Sequence, residues 1–494
     1  MTGDGRRPGV DRRALLRAAG AAGLTAAAGG AAGAAGAAGR RPAAGPTPAD
    51  WRALAASLDG SLVRPGGSGY DAARVLYDPR FDGIRPPAVA RCATTADVVE
   101  CVRFARRFGL ALVPRGGGHS YVGASTSPHG LVLDTRPLAA VRYDAGTGQA
   151  LVGGGARLSD VYAGLGRHGV TVPAGSCGGV GIGGLALGGG VGMASSLAGL
   201  TCDVVTGLDI VTADARWRTV DARREPELFW ACRGGGGGQF GVVTRWRMRT
   251  FAVREVGRFT LHWAWRDAAA VAAGWQRFLA QAGDRVWCHL QLSSDARGRR
   301  GVRAAGFVLD GDPGPPAHAL VAAAGREPAQ VRVDRAPYLS VVRDRAGAGS
   351  RRTELLGSDV FPAPLPAAGL AALVAAVDRR AAARRPGVAK LKPLTGAVAR
   401  VPVAATAFPW RGSFAMLQWL VTDERPDPAA VRDAYAWIAA GHRAVARWSA
   451  GGYVNYLEPD PAALPRYHGA HLGRLRAVRR RYDPDRLFRS PYAL

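Results

Sequence analysis

Apolar residues recur with helical spacing after Thr94, and the pattern closes at Gly109. Thr94 is suited to capping a helix start, Asp97 three residues later completes a capping box, and glycine is favoured where a helix ends. Short apolar runs bounded by turn residues then predict strands at 110–113, 130–134 and 150–152, and helical spacing returns at 160–168. Helix and strand signals therefore alternate in this half of the chain.

The second half of the chain contains both periods as well. Residues 258–265 and 414–421 alternate between apolar and polar positions as strands do, whereas 367–384 and 428–447 are typical of helices. The pattern predicts an α+β protein whose loops carry the chemistry. With 494 residues and 48% hydrophobic content, the chain is too long for one ordinary domain, so we expect two.

The N-terminus has the composition of a targeting segment. Arg12 and Arg13 stand before an apolar pair, a mildly hydrophobic Ala/Gly run covers 18–39, and a proline-containing segment follows at 40–48. The pattern resembles a twin-arginine export signal, with a disordered low-complexity leader as the alternative. The run is too rich in glycine to predict a membrane span, so we expect an extracellular or cell-envelope protein without a stable span in its mature form.

The net charge of +27 raises the question of a nucleic-acid partner. Only Lys390 and Lys392 are lysines, and the arginines are scattered among apolar and acidic neighbours without a basic stripe interleaved with aromatics. We therefore expect no nucleic-acid binding. Six cysteines are too few for a disulfide scaffold and lack metal-ligand spacing, and His468 and His471 lack a third ligand, so we expect no metal site.

A glycine-rich loop at 114–121, Pro-Arg-Gly-Gly-Gly-His-Ser-Tyr, has the chemistry of an anion and cofactor site. Arg115 brings a fixed positive charge, and Gly116 to Gly118 can turn with positive φ and present N–H groups to a pyrophosphate. Neutral His119 keeps a nitrogen lone pair and can attack an electron-poor ring. A plain surface turn with an incidental histidine is the alternative.

A second glycine-rich stretch begins beside Cys177. Gly179, Gly181 and Gly184 fit the G-x-G-x-x-G spacing of a nicotinamide site, with Asp203 at a suitable distance for a ribose. Further glycines follow and disfavour a helix, so we expect no helix after the motif and instead a backbone that passes close beside a flat ligand. Cys177 is then a second candidate anchor, unless it is a small buried hydrophobe.

A third segment has five glycines at 234–238 before an apolar strand at 242–243, which allows another close approach to a phosphate or adenine. Together these segments resemble the flavin-linked oxidases of the vanillyl-alcohol oxidase superfamily, in the branch that includes berberine bridge enzyme and the glucooligosaccharide oxidases. The resemblance resumes at 453–456, 467–475 and 482–488 and is weakest in the middle of the chain.

Relatives of this branch hold FAD through two covalent bonds, so the resemblance implies that His119 bonds the 8α-methyl carbon of the flavin and Cys177 bonds C6. It implies a signal and linker at 1–45, an FAD-binding domain of the vanillyl-alcohol oxidase type at 46–250 and 453–494, and an inserted antiparallel-sheet substrate domain backed by helices at 251–452. The implied cofactor contacts are Arg115, Gly116, Gly117, Gly118, His119, Ser120, Cys177, Val180, Gly181, Gly183, Gly184, Gly241, Val242 and Asn455.

The implied catalytic residues are Tyr456, Tyr453, Tyr121 and Gln418. An alcohol would lose its hydroxyl proton to a side chain while hydride passes to the flavin. A strand at 453–456 would place Tyr453 and Asn455 on one face and Tyr456 on the other, which leaves the base open between two tyrosines. We favour Tyr456 as the base, with Asn455 hydrogen-bonded to the flavin.

The chain departs from the family pattern at two positions near the site, and a third position concerns the reaction with oxygen. Val191 stands where many relatives have tyrosine and Met416 where some have a basic residue, and both changes remove groups that could lower the pKa of a tyrosine. In the family, the residue at Val180 lies over the flavin, where a side chain one methylene smaller than leucine would admit oxygen.

The resemblance thus implies a secreted FAD oxidase that acts on a sugar, an oligosaccharide or another alcohol and reduces oxygen to hydrogen peroxide. Three alternatives stay open. They are an oxidoreductase that tailors a secondary metabolite by alcohol oxidation or oxidative ring closure, an FAD dehydrogenase that uses another acceptor, and a cofactor-binding relic whose active site has decayed.

Overall fold

A four-stranded, a five-stranded and a seven-stranded β-sheet carry the described part of the chain. In this computed structural model, residues 45–346, 351–424, 426–490 and 492–494 are described. The export signal predicted on Arg12 and Arg13 lies outside them.

The elements before residue 253 are α1 (Pro48–Ser57), β1 (Ser61–Val63), α2 (Tyr70–Arg74), β2 (Ala88–Arg91), α3 (Thr95–Phe108), β3 (Ala111–Arg115), β4 (Gly130–Asp134), β5 (Val141–Asp144), β6 (Gln149–Gly153), α4 (Leu158–Gly166), β7 (Val170–Thr171), α5 (Ile182–Leu187), α6 (Ser195–Ala198), β8 (Val205–Val211), β9 (Trp217–Val220), α7 (Pro226–Ala231), β10 (Val242–Arg249) and β11 (Phe251–Ala252). The elements after it are β12 (Glu255–Trp263), α8 (Ala268–Gln281), β13 (Val286–Ser294), β14 (Arg300–Leu309), α9 (Gly314–Ala324), β15 (Gln330–Pro337), α10 (Tyr338–Ala346), β16 (Thr353–Phe361), α11 (Ala367–Ala382), β17 (Gly387–Pro393), α12 (Ala397–Arg400), β18 (Ala415–Asp423), α13 (Pro428–Val445), α14 (Leu464–His468) and α15 (Leu472–Tyr482).

The helix predicted after Thr94 is confirmed as α3. Thr94 Oγ1 accepts a hydrogen bond from the Asp97 amide at 3.2 Å, and the Asp97 carboxylate accepts one from the Thr94 amide at 3.3 Å. Gly109 ends the helix with φ of 65°, a left-handed conformation that costs glycine little. The chain can therefore turn at once into β3.

Parallel strands bring the first glycine loop to a sheet edge. The four-stranded sheet has the order β1-β2-β4-β3, with β2, β4 and β3 parallel, and Asp134 pairs in register with both Arg91 and Arg115. The loop after Arg115 therefore leaves the carboxyl ends of parallel strands, where open sheets of this kind bind ligands. The five-stranded sheet, β5-β6-β10-β8-β9, is antiparallel and includes the strand predicted at 242–243.

The seven-stranded sheet is inserted between β11 and residue 453 and has the order β15-β12-β14-β13-β17-β18-β16, antiparallel throughout. Helices α8, α9, α11 and α13 pack their apolar stripes on one of its faces, around Trp275 and Trp419. The predicted fold class is confirmed, because this is an antiparallel sheet backed by helices within an α+β chain. The opposite face of the sheet contributes to the site below.

Two local predictions were wrong. A short helix, α5, does begin after Gly181. It has only six residues, and within it Gly183 lies against the carbonyl of Gly154. This helix does not belong to a nicotinamide-binding βαβ unit, because β7, the strand before it, pairs with β11 and not with β8. Residues Val454–Tyr456 form a 3-10 turn and no strand, because the pairing with β16 stops at the single bridge between Val360 and Gly451.

Candidate active site

A cavity of about 420 Å³ lies among the glycine loops, the 3-10 turn at Val454–Tyr456 and strands β17 and β18. Its volume is in the range of ligand and cofactor pockets. All the predicted site residues line it, namely Arg115, Gly116, Gly117, Gly118, His119, Ser120, Tyr121, Cys177, Val180, Gly181, Gly183, Gly184, Gly241, Val242, Gln418, Tyr453, Asn455 and Tyr456. Segments more than 300 residues apart in the sequence thus meet at one place.

The histidine and cysteine loops touch through their backbones. A Cβ atom built on Gly117 would lie 2.3 Å from the amide nitrogen of Gly181, and one built on Gly181 would lie 2.2 Å from that of Gly117. Gly179 in turn lies beside the His119 ring, whose Cδ2 would be 3.9 Å from a Cβ there. Only glycine allows this approach, so the two glycine runs hold the two candidate anchors next to each other.

The Arg115 guanidinium has a different task from the one predicted. It donates to the backbone carbonyls of Ala73, Arg74 and Ser125 and is nearly inaccessible to solvent, and burial lowers its pKa to about 10. Its charge therefore holds the loop against α2 and does not point at an anion. Arg115 lines the cavity, and its guanidinium donors are used within the protein.

His119 is held as a neutral imidazole. Its ring stacks on Tyr77 with centroids 3.7 Å apart, and burial lowers its pKa to about 4. Its Nδ1 is buried and has no hydrogen-bond partner in the described part of the chain. An orphaned buried nitrogen costs free energy, so this atom is available to bond a group placed in the cavity.

Cys177 differs from the other cysteines. All six lie within the described residues, and Cys177 is exposed to the cavity while Cys92, Cys101, Cys202, Cys232 and Cys288 are buried. The alternative of a buried hydrophobe is therefore ruled out for Cys177. An accessible thiol beside a neutral imidazole and a glycine cradle fits a flavin that is attached at two points.

The structure distinguishes the two tyrosines that the sequence left open. The Tyr453 hydroxyl accepts hydrogen bonds from the Gly190 amide at 2.8 Å and from Asn455 Nδ2 at 2.9 Å, and the ring is 2% exposed. Tyr456 is partly buried, and its hydroxyl oxygen accepts a 2.6 Å hydrogen bond from Lys392 Nζ. Tyr453 is thus fixed in the packing, whereas Tyr456 shares its oxygen with a cation in the cavity.

Asn455 is also committed within the protein. Its Nδ2 donates to the carbonyl of Leu185 at 3.0 Å as well as to Tyr453, and its Oδ1 lies against Gly188. Both Nδ2 hydrogens are therefore used within the protein, so the predicted hydrogen bond between Asn455 and the flavin would use Oδ1 as its acceptor. The contact with Leu185 also holds the 3-10 turn at Val454–Tyr456 against α5.

Lys392 is the residue that the sequence analysis missed. Burial lowers its pKa to about 8, and it lies opposite Met416 in the β17–β18 register. Lys392 therefore places a cation beside Met416, the position where some relatives have a basic residue. Its charge compensates for the charge that Met416 lacks. The signal was present, because both lysines of the chain stand two residues apart and share one face of a strand.

Lys390, Arg352 and Glu354 also line the cavity and were not predicted. Arg352 donates to the Glu354 carboxylate at 2.9 and 3.0 Å. Lys390 lies opposite Gln418, which confirms only that the glutamine faces the same side of the sheet. The side of the cavity next to the seven-stranded sheet therefore contains three cationic side chains and one carboxylate.

The described residues contain neither a candidate metal site nor a membrane-spanning helix. No group of three or more histidine, cysteine or acidic side chains there could hold a metal ion; His468 is buried and His471 bonds the Ala407 carbonyl. No helix in the same residues is long and apolar enough to cross a membrane.

Comparison with known proteins agrees with the geometry. The family described as FAD binding domain matches residues 86–221, and the one described as berberine and berberine like matches residues 452–493. An uncharacterized FAD-linked oxidoreductase of Bacillus subtilis, YgaK, is 28% identical over 444 residues, which cover 87% of this chain and 96% of the relative.

Two solved structures are similar over most of their length. Wild-type BBE-like 1 of Physcomitrella patens superposes with a TM-score of 0.79 at 25% identity, covering 89% of this chain and 98% of the other. Xylooligosaccharide oxidase from Myceliophthora thermophila C1, in complex with xylobiose, has a TM-score of 0.80 at 25% identity and covers 90% of this chain and 98% of its own.

Proposed function

Because the chain belongs to the berberine bridge enzyme-like FAD-linked oxidoreductases, we propose that it is a secreted oxidase of alcohols with FAD bonded to both His119 and Cys177. The substrate would be a sugar, an oligosaccharide or a similar alcohol, and oxygen would be reduced to hydrogen peroxide. The contact between Lys392 and Tyr456 carries this proposal, since it puts a positioned base in the same cavity as both anchors.

FAD, when bound, supplies the hydride acceptor for the reaction. The chain's own residues handle the proton. Tyr456 takes the hydroxyl proton of the substrate, and Lys392 stabilises the phenolate that must exist beforehand, because a cation at 2.6 Å favours the charged form of the phenol. Desolvation raises the pKa of Tyr456, so without this cation the phenolate would be scarce near neutral pH.

The remaining residues of the cavity hold the reactants in place. Tyr121 and Gln418 line the same space as Tyr456, and Gln418 is only 7% exposed, so its amide is oriented by the surrounding sheet. The paired glycine loops fix the anchors at 119 and 177 relative to this group. Such preorganisation accounts for much of the rate that positioned groups provide.

The decisive experiment mixes purified holoenzyme anaerobically with a panel of sugars, oligosaccharides and aromatic alcohols and follows flavin absorbance. Bleaching by a carbohydrate, followed by peroxide formation on admitting air, supports the proposal. Bleaching by aromatic alcohols alone would favour secondary-metabolite chemistry. A protein that binds FAD and is bleached by none of them would favour the relic.

The oxygen reaction gives a prediction at Val180. Its side chain is partly buried, packs against the neighbouring apolar core and lines the cavity. Val180→Leu adds one methylene, and we expect slower reoxidation of reduced enzyme by oxygen with flavin reduction nearly unchanged, because a small gap decides oxygen access. Stopped-flow reoxidation measures this, with Val191→Leu as a control at another wall of the cavity. Reoxidation of Val180→Leu at the wild-type rate would point to another oxygen route or another acceptor.

Export gives a prediction outside the described residues. Replacing Arg12 and Arg13 by lysine should retain the protein in the cytoplasm, because the two guanidinium groups differ from ammonium groups in shape and hydrogen bonding although the charge is the same. Activity in the culture medium and in the cell fraction measures the effect. Undiminished secretion of the double variant would show that the signal is misassigned.

A further inference from the structure

A row of polar side chains crosses the seven-stranded sheet, starting in the cavity. The register pairs Ser358 with Gln418, Gln418 with Lys390, Lys390 with Gln291, Gln291 with Arg303, Arg303 with His262 and His262 with Gln330. We call these seven residues the register row. Because strands are spaced about 4.8 Å apart, the row from Gln418 to His262 spans roughly 19 Å.

The register row lies on the face of the sheet opposite to helices α8, α9, α11 and α13. Neighbouring strand residues such as Leu417, Leu391 and Ala304 point to the other face and pack in the helix-backed core. Gln418 and Lys390 line the cavity, and exposure increases outward from buried Gln418 through partly buried Gln291, Arg303 and His262 to exposed Gln330. The row therefore leads from the reacting site toward solvent.

The charges on the register row are all positive. Lys390 and Arg303 lie two strands apart, roughly 10 Å, and no member of the row is acidic. Glu354, the carboxylate of the cavity, is held by Arg352. Burial and the Arg303 charge lower the pKa of His262, which keeps that ring neutral near neutral pH.

Arg303 is held without a carboxylate. Within the described residues its guanidinium donates to Gln291 Oε1 at 3.3 Å, its Nε is buried without a partner, and burial lowers its pKa. A desolvated guanidinium lacking an anion costs stability. Arg300 on the same strand, by contrast, faces the helices and bonds Asp378 at 2.6 Å.

We propose that the register row extends the substrate site and binds the negatively charged group of an elongated alcohol, with Arg303 and Lys390 as the charged contacts. This inference rests on the proposed function for the reaction at Tyr456. It adds the substrate class, an alcohol that carries a carboxylate, sulfate or phosphate at a distance from its reacting carbon. The glutamines of the row supply further hydrogen bonds to the linking segment.

The test uses cellobiose and cellobiouronic acid, which differ in a carboxylate on the ring remote from the reducing end. Oxidised holoenzyme is titrated with each sugar by flavin difference spectra and calorimetry at low and high salt. We expect the acid to bind about tenfold tighter or more at low salt, as a charged hydrogen bond gives, and the preference to shrink as salt rises. Arg303→Gln and Lys390→Gln should each reduce the acid-to-neutral ratio severalfold, and Arg300→Gln should leave it unchanged.

The outcomes separate this inference from the proposed function. Equal binding of the two sugars, binding of neither, or an unchanged preference in Arg303→Gln overturns the inference. Flavin reduction by cellobiose with no preference for the acid overturns it while the oxidase proposal stands. A salt-sensitive preference that Arg303→Gln removes, without flavin reduction by either sugar, supports the anion site and counts against oxidation of these sugars.

Discussion

Tyr456→Phe should slow anaerobic flavin reduction by about 10²–10⁴-fold while leaving bound flavin in place, because a positioned general base contributes roughly that much. The phenyl ring keeps the packing of the side chain and removes only the oxygen that Lys392 contacts at 2.6 Å. The measurement is the limiting reduction rate in stopped flow, with flavin content checked by absorbance. A reduction rate within a few-fold of wild type would mean that another group takes the proton.

Tyr453→Phe is the matched control, since it lies three residues away and loses the same atom. Its hydroxyl accepts hydrogen bonds from Gly190 and Asn455 within the packing, so we expect lower thermal stability and a much smaller effect on the reduction rate. Equal loss of rate in both variants would assign the effect to disruption of the turn at Val454–Tyr456.

The pH dependence tests the part that Lys392 takes in the same step. In the proposed reaction the phenolate of Tyr456 is the active form. A neighbouring cation lowers the pKa of a phenol, so Lys392→Met should raise the pKa of Tyr456. The reduction rate increases with pH as the phenol ionises. In the variant, this increase should occur at a pH that is higher by roughly one unit or more. A purely structural role for Lys392 would lower the rate at every pH without moving the profile.

The amphipathic helices were the part of the fold that could be predicted from the sequence. The predicted helices at 95–108, 367–384 and 428–447 correspond to α3, α11 and α13, and each carries an apolar stripe wide enough to show in the sequence. The strand order of the seven-stranded sheet could not be predicted, because pairing between strands far apart in the chain leaves no local signal. The family resemblance supplied the inserted antiparallel sheet and its helical backing, and the strand order came from the structure.

The sequence predicted the parts of the site that are formed by continuous loops. The glycine loops around His119 and Cys177 identify themselves, since each is a continuous run with a distinctive composition. Lys392 and Tyr456 stand 64 residues apart, and they meet through the register of β17 with β18 and the turn that was predicted as a strand. Arg115 misled for the opposite reason, because a local motif does not say which way a long side chain points.

If the flavin is attached at two points, each single variant of His119 or Cys177 should retain it after denaturation and the double variant should lose it completely. The backbone contact between Gly117 and Gly181 holds both loops in place, so loss of one anchor leaves the other positioned. His119→Ala and Cys177→Ala should each keep flavin on the polypeptide after acid denaturation, whereas the double variant should release all of it. Mass spectrometry of the denatured chain and absorbance of the acid supernatant measure the two fractions.

Cys232→Ala provides the control for the attachment experiment, because Cys232 is buried away from the cavity lining and its pKa is raised to about 12 by burial, so its thiol stays protonated and unreactive. It should retain flavin as the wild type does. The His119→Ala variant also loses the ring that stacks on Tyr77. We therefore expect a lower melting temperature for this variant, and a flavin that is held less rigidly by the remaining bond to Cys177. Release of flavin from denatured wild type would contradict double attachment, and release from only one of the two single variants would assign the bond to the residue replaced in it.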